Sequence, residues 1–333
     1  MLKHGAKLFA ALAVLCTFFA SAAPVMAQAA LDPQLGPYRP GLEPIKGRLK
    51  LIGSETMSGV AAVWKDSFER FHPDVTVEVV VKGSINAVNS VRDGEAHFGL
   101  LSREVLAEEI KEFTDKKGYP PHMLVSCLER QAIYVHIDNP IQGLTVAQLD
   151  AIFSSTLKRG AKKQAQTWGD LGISGPMAAQ PISCFVRSPT TGSQIFFQEV
   201  VLMGGEFHKG CLRQEDNLEM VKNIAKSPSA VGFAGATYEY PGTKAVPIAT
   251  QEGGEYFPID CLPSATGSYP LVRPLQLVVN HAPKTKLSPL EGEFIKYVFS
   301  RMGQEDVVKA GFTPVSSKPA QIALDSVDLK AVE

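Results

Sequence analysis

The sequence lacks an excess of charge of either sign: 33 Lys and Arg stand against 34 Asp and Glu, a formal net charge of −1. No net field therefore draws it to nucleic acid or to an acidic membrane, and any anion it binds must be caught by local donors. Signatures of metal and nucleophile chemistry are also missing. The seven histidines form no H-E-x-x-H or other close ligand pair, the cysteines form no C-x-x-C, and there is neither a G-x-S-x-G elbow nor a Walker A lysine. Neither a metal site nor a cofactor is expected. Internal repeats, heptads and low-complexity blocks are absent as well, which leaves an ordinary globular balance of 45% hydrophobic and 20% charged residues over 333 positions. That length exceeds one small core and predicts two domains.

Only one long apolar run is present, from Leu8 to about Ala23. Lys3 and Lys7 precede it and Val25-Met26-Ala27 follows. It is shorter than the roughly 20 residues of a membrane span, and its flanks read as a signal peptide over residues 1–27. A periplasmic or secreted chain is expected, from which Cys16 is removed. Four cysteines remain, Cys127, Cys184, Cys211 and Cys261. In a disulfide-permissive compartment two bridges are expected, and all three pairings stay open.

Pro33, Pro37, Pro40 and Pro44 mark residues 28–46 as an extended arm ahead of the fold. Then come a strand at Leu49–Ile52 and a helix at Met57–Phe71, with Val60, Val63, Trp64, Phe68 and Phe71 at helical spacing. A strand at Val75–Val81, a helix at Ile85–Asp93 closing on Gly94 and a strand at His97–Leu101 follow. This β-α-β-α-β order predicts a parallel sheet that binds ligands at its carboxyl end. A strand at Gln131–Ile137 runs into Asn139-Pro140, where the chain is expected to cross to a second lobe. There the pattern recurs, with a strand at Ile182–Val186 and a helix from Ser193 towards Leu202. Tyr269-Pro270-Leu271-Val272-Arg273-Pro274 leads back into a strand at Leu275–Asn280 and a helix at Leu290–Met302. The expected division is 47–137 plus 274–333 for the first lobe and 138–273 for the second.

Three loops share one character: each follows a strand, is rich in Ser, Thr and Gly, and opens a helix. They are Ser54-Glu55-Thr56-Met57, Gly83-Ser84-Ile85-Asn86 and Thr190-Thr191-Gly192-Ser193. Helix N-termini present unpaired N–H groups and partial positive charge, so such loops suit oxyanions, although N-capping alone also favours Ser and Thr. Arg187 and Arg103 stand close to two of them and could complete a cradle for one tetrahedral anion.

At these residues the chain resembles the periplasmic phosphate-binding proteins of bacterial phosphate ABC transporters. Gly53-Ser54-Glu55-Thr56-Met57 looks like that family's first anion loop, and Val79 to Ser84 like its strand into a Gly-Ser turn. Gly94 to Arg103 with Glu108-Glu109 resembles the Ser-Arg segment of one branch, and Arg187-Ser188-Pro189-Thr190-Thr191-Gly192-Ser193 resembles Arg-x-x-x-Ser-Gly-Thr. The resemblance covers about residues 49–315. It implies an α/β, two-lobed type II periplasmic-binding-protein fold with two hinge crossings, and a monomer that captures inorganic phosphate for a membrane ABC permease. Thr56, Met57, Ser84, Arg103, Arg187, Thr191, Gly192 and Ser193 would hold the anion. Some members carry an aspartate where Arg103 falls here, which leaves Glu55 or Glu104 as the acceptor for a phosphate proton. The same cradle in a phosphate-ester hydrolase, or the same fold in adhesion or phosphate sensing, are the alternatives.

Overall fold

The computed structural model describes residues 31–261 and 267–329, so the expected signal peptide and Cys16 lie outside the described residues. The first unit runs β1 (Gly47–Gly53), α1 (Ser58–Phe71), β2 (Val75–Val81), α2 (Ala87–Asp93), β3 (Phe98–Leu101), α3 (Ala107–Lys117) and β4 (His122–His136). β1 lies between β2 and β3, parallel to both, as the strand-helix alternation predicts. α1 buries Val60, Trp64 and Phe68 completely because they recur every four residues on one face. Burying Trp64 and Phe68 contributes roughly 2–3 kcal/mol each, and the Trp64 indole finds a partner for its N–H in the Gly303 carbonyl, 2.9 Å away.

The second unit holds β5 (Leu144–Thr145), α4 (Val146–Phe153), β6 (Ser183–Val186), α5 (Gly192–Val200), β7 (Leu212–Arg213), α6 (Asn217–Ile224), β8 (Ala230–Gly235), β9 (Thr243–Ala245) and β10 (Ile248–Ala249). Its core stacks Phe197 on Phe233, with ring centroids 4.2 Å apart, among Phe153, Trp168 and Leu144. The chain then returns through β11 (Val272–Val279) to α7 (Pro289–Val298), α8 (Arg301–Lys309), β12 (Thr313–Pro314) and α9 (Ser317–Asp325). These complete the first core around Phe68, Phe98, Phe294 and Tyr297. Among the described residues no helix is long and apolar enough to cross a membrane.

One sheet runs through both units in the order β2-β1-β3-β11-β4-β8-β6-β7. β4 is the reason. Its first part, to Arg130, pairs with β11 of the first unit, and Gln131 to Val135 pair with β8 of the second. The outward crossing therefore lies inside β4, near Arg130, and not at the expected boundary after residue 137. Glu129-Arg130 interrupts the apolar run and makes the strand look shorter than it is. Asn139-Pro140 is instead a turn within the second unit, closed by the Ile141 N–H on Asn139 Oδ1 at 3.0 Å.

Three further expectations change. The helix read over Leu290–Met302 is two helices, because Ser300 caps α8 by accepting from the Gly303 N–H at 3.2 Å. A Cβ on Gly303 would stand 2.1 Å from the Tyr297 carbonyl oxygen, so glycine alone lets α8 pack on the end of α7. The N-terminal arm is not ahead of the fold: Leu35 and Tyr38 are buried in the first core, and the Tyr38 hydroxyl lies 2.6 Å from His72 Nε2. Finally, the four described cysteines are divided between the two cores. Cys127 is buried in the first core while Cys184, Cys211 and Cys261 belong to the second. Among the described residues Cys127 thus has no cysteine in its own core and is a free thiol, so the expectation of two bridges within the chain is reduced to one at most.

Candidate functional site

Strand ends bring the three Ser/Thr/Gly loops together. Gly53 ends β1 at φ 150°, and a Cβ there would be 2.2 Å from the Leu100 carbonyl oxygen, so glycine lets the first loop leave the sheet beside β3. The Gly53 carbonyl in turn accepts from the N–H groups of Lys82 and Gly83 at 3.0 and 2.9 Å, tying the second loop to the first. Across the cleft, β6 delivers Arg187, and Thr191 caps α5 so that the Gly192 and Ser193 N–H groups lie in its open first turn. The loops enclose a cavity of about 170 Å3 lined by Ser54, Glu55, Thr56, Ser84, Arg187 and Ser193 among others. That is the scale of a small ion; pockets for drug-sized ligands run ~300–1,000 Å3. A larger groove of about 840 Å3 runs between the N-terminal arm and α7, lined by Leu42, Ile45, Leu287 and Leu290 and by no guanidinium.

Of the residues expected to hold an anion, Thr56, Ser84, Arg187, Thr191, Gly192 and Ser193 line this one cavity. The Thr191 hydroxyl is occupied by its cap, donating to the Ser188 carbonyl at 2.8 Å and accepting from the Gln194 N–H at 3.4 Å. Met57 is fully buried in the first core and does not line the cavity. Arg103 does not line it either, and that expectation is corrected by its partner. Its guanidinium is 1% exposed and meets Glu109 with two N–H···O contacts of 2.8 and 2.6 Å, donating a further one to the Glu104 carbonyl. It fastens the loop to the first turn of α3. The neighbouring Ser102 takes the inward place, with its hydroxyl 2.7 Å from Ser54 Oγ and 3.0 Å from Ser84 Oγ.

Two ion pairs complete the site. Arg187, 1% exposed, donates to Glu55 at 2.7 Å across the cleft and to the Glu215 carbonyl at 2.9 Å, while its Nε has no partner. Glu55 therefore lines the cavity, and here its carboxylate is the anion that Arg187 holds.

The second pair, Arg273 with Glu129, escaped the sequence reading although Arg273 stands in a segment singled out there. Both side chains are buried, 0% and 2% exposed, and Arg273 Nε donates to Glu129 at 2.6 Å. Burial pushes the Glu129 carboxyl up from its ordinary value, and Arg273 pulls against that shift. Arg273 Nη2 also donates to Thr56 Oγ1 at 3.2 Å and Ser193 Oγ at 3.0 Å, one hydroxyl from each half. A guanidinium has donors only. Each hydroxyl that accepts from it keeps its own proton to give, so Arg273 sets both up as donors. Its Nη1 has no partner.

Two α/β halves joined by crossing strands, with hydroxyls, helix N–H groups and guanidiniums facing one another across a cleft, define a two-lobed oxyanion-binding protein. Residues 39–302 match the PBP superfamily domain. The chain is 35% identical to the phosphate-binding protein PstS of Pseudomonas aeruginosa over 323 residues, 97% of this chain and 100% of that protein. In fold it is similar to an ABC-type phosphate transport receptor from Vibrio cholerae, at 20% identity and a TM-score of 0.64 over 81% of this chain and 100% of that one. It is likewise similar to PstS from Borrelia burgdorferi, at 19% identity and a TM-score of 0.54, again over 81% and 100%. The chain belongs to the PstS family of the PBP superfamily and has its type II fold.

A close approach of the halves gives a direct check. A Cβ on Gly192 would stand 2.2 Å from Ser102 Oγ and 2.7 Å from Ser84 Oγ. Gly192→Ala is expected to hold the lobes apart at a cost of about 1–3 kcal/mol, read as roughly a 5- to 150-fold loss of anion affinity with an unchanged thermal midpoint in anion-free buffer. An unchanged affinity would show that the two halves do not close on the ligand together.

Proposed function

We propose that this chain captures inorganic phosphate in the cleft between its lobes and delivers it to a membrane ABC permease from the periplasm. It is a substrate-binding protein and not an enzyme. The observation that carries the reading is the convergence on one small cavity of Thr56 and Ser84 from one half with Arg187, Gly192 and Ser193 from the other. One donor of the guanidinium that lines the cavity, Arg187 Nε, is buried without a partner. An orphaned buried donor costs about 1–3 kcal/mol, and an anion with several acceptors such as phosphate would satisfy it. The name of the Pseudomonas relative supports phosphate over other tetrahedral anions. Because both halves of the cradle come from one chain, a monomer suffices.

Calorimetry with phosphate tests this. Arg187→Ala should weaken binding by about 2–5 kcal/mol, since it removes a buried charged donor. Ser84→Ala should lose only about 0.5–1.5 kcal/mol, the net worth of a neutral hydrogen bond. Equal losses, or a wild-type protein that binds no phosphate, would refute the reading.

Selectivity follows from the one carboxylate in the lining of the first loop. Sulfate and hydrogen phosphate match in size and charge, so donors alone treat them alike, whereas Glu55 rewards the anion that still carries a proton. In competition from about pH 5 to pH 9, Glu55→Gln is expected to bind phosphate less well and sulfate no worse. The same preference in both proteins at every pH would remove Glu55 from the role of acceptor.

A further inference from the structure

Outside the cleft, three reactive side chains meet on the second lobe. Cys184 Sγ lies 2.9 Å from Cys211 Sγ and 2.9 Å from His208 Nε2. From this geometry we propose that Cys184 and Cys211 form a disulfide that ties β6 to β7 behind the anion site.

The backbone already has the required register. Phe185 pairs with Leu212 and Val186 with Arg213 in the parallel β6–β7 ladder, so Cys184 and Cys211 are the next positions back on each chain. Neighbouring strands lie about 4.8 Å apart, inside the usual disulfide Cα separation of ~4.4–6.8 Å.

A metal ion is the rival occupant of the same three groups, and two observations count against it. Two ~2.3 Å bonds from a tetrahedral zinc would hold the sulfurs nearly 4 Å apart, well beyond the 2.9 Å found. In addition, His208 Nδ1 accepts the Gly210 N–H at 3.1 Å, which puts the imidazole proton on Nε2. A metal would need the lone pair of that same nitrogen, whereas an Nε2–H donates to sulfur. The His208 N–H and the Cys211 contact both favour a thiolate on Cys184. In keeping with this, the contact with Cys211 holds the Cys184 thiol below its ordinary value and pushes that of Cys211 up.

The reaction is thiol–disulfide exchange with a small organic disulfide as oxidant. A surface cavity of about 530 Å3 is lined by Cys211 and His208, so the oxidant reaches Cys211. The Cys211 proton passes to the Cys184 thiolate along their contact, the Cys211 thiolate so formed attacks one sulfur of the oxidant, and the first small thiolate leaves and takes a proton from solvent. Cys184 sulfur then attacks Cys211 sulfur, and the second thiol leaves with the Cys184 proton. Two protein thiols and one disulfide give one protein disulfide and two small thiols. The bond sits three residues before Arg187 and four before Glu215, whose carbonyl accepts from Arg187, so it braces both strands that supply that contact.

The test is peptide mapping without reduction of the full chain after incubation with oxidised glutathione. A single linked peptide pair, Cys184 with Cys211, is expected, with Cys127 still open to alkylation after unfolding. Reduction of that sample, or Cys211→Ser, should lower the thermal midpoint by about 5 °C, the scale of losing one loop-closing bond in a chain of this size. Recovery of both cysteines as free thiols after oxidation would overturn the proposal. So would a Cys211–Cys261 link, or stoichiometric zinc co-purifying with both thiols free.

Discussion

The buried ion pair between Arg273 and Glu129 is the interaction on which the rest of the site depends. The two residues sit directly opposite each other in the β11–β4 ladder, on the two strands that, among the described residues, carry the chain between its halves. Such a pair adds little net stability, because desolvating two charges offsets most of their attraction, but losing one partner leaves an uncompensated buried charge. Its value here is positional. One guanidinium group fixes the crossing strands to each other through Glu129 and fixes a hydroxyl from each lobe through Thr56 and Ser193. Gly235 makes room for it, since a Cβ there would be 2.2 Å from Glu129 Oε1.

Charge in and around the cleft is balanced locally. Arg187 faces Glu55, Arg273 faces Glu129, and Arg103, just outside, faces Glu109. With each guanidinium neutralised by a carboxylate, no net positive charge gathers at the cleft, in keeping with a formal net charge of −1 over the chain. On the proposed reading the groups that meet the anion are oriented dipoles: the open first turn of α5, the Ser54–Ser102–Ser84 hydroxyl chain, and the two hydroxyls that Arg273 turns into donors. On the proposed reading charge enters where it is only partly satisfied in the lining, at Arg187 Nε. An account of binding built on counting arginines near the loops would misassign both the ligands and their strength.

Features set by local chemistry were legible in the sequence. The four-residue stripe of Val60, Trp64 and Phe68, the glycines ending β1 and opening the second loop, and the Ser/Thr/Gly turns all follow from period and conformation. They led to the parallel sheet of the first unit, and six of the eight residues expected to hold an anion line one cavity. Pairing partners were not legible to the same degree. Arg103 had its carboxylate only six residues away at Glu109, so local reasoning could have taken it out of the cradle. Arg273 finds its partner 144 residues away, and no pattern in either segment announces that the two meet. The crossing inside β4 was hidden for a related reason: Glu129 looks like the end of an apolar strand until Arg273 is placed against it.

The most direct test of this dependence is a double-mutant cycle read by phosphate calorimetry, combining Arg273→Lys with Thr56→Val and Ser193→Ala. If Arg273 acts by orienting those two hydroxyls, its replacement should weaken binding in the wild-type background and have little further effect once both hydroxyls are gone, a coupling of about 1–3 kcal/mol. Losses that simply add, with no coupling between Arg273 and the hydroxyls, would contradict the account.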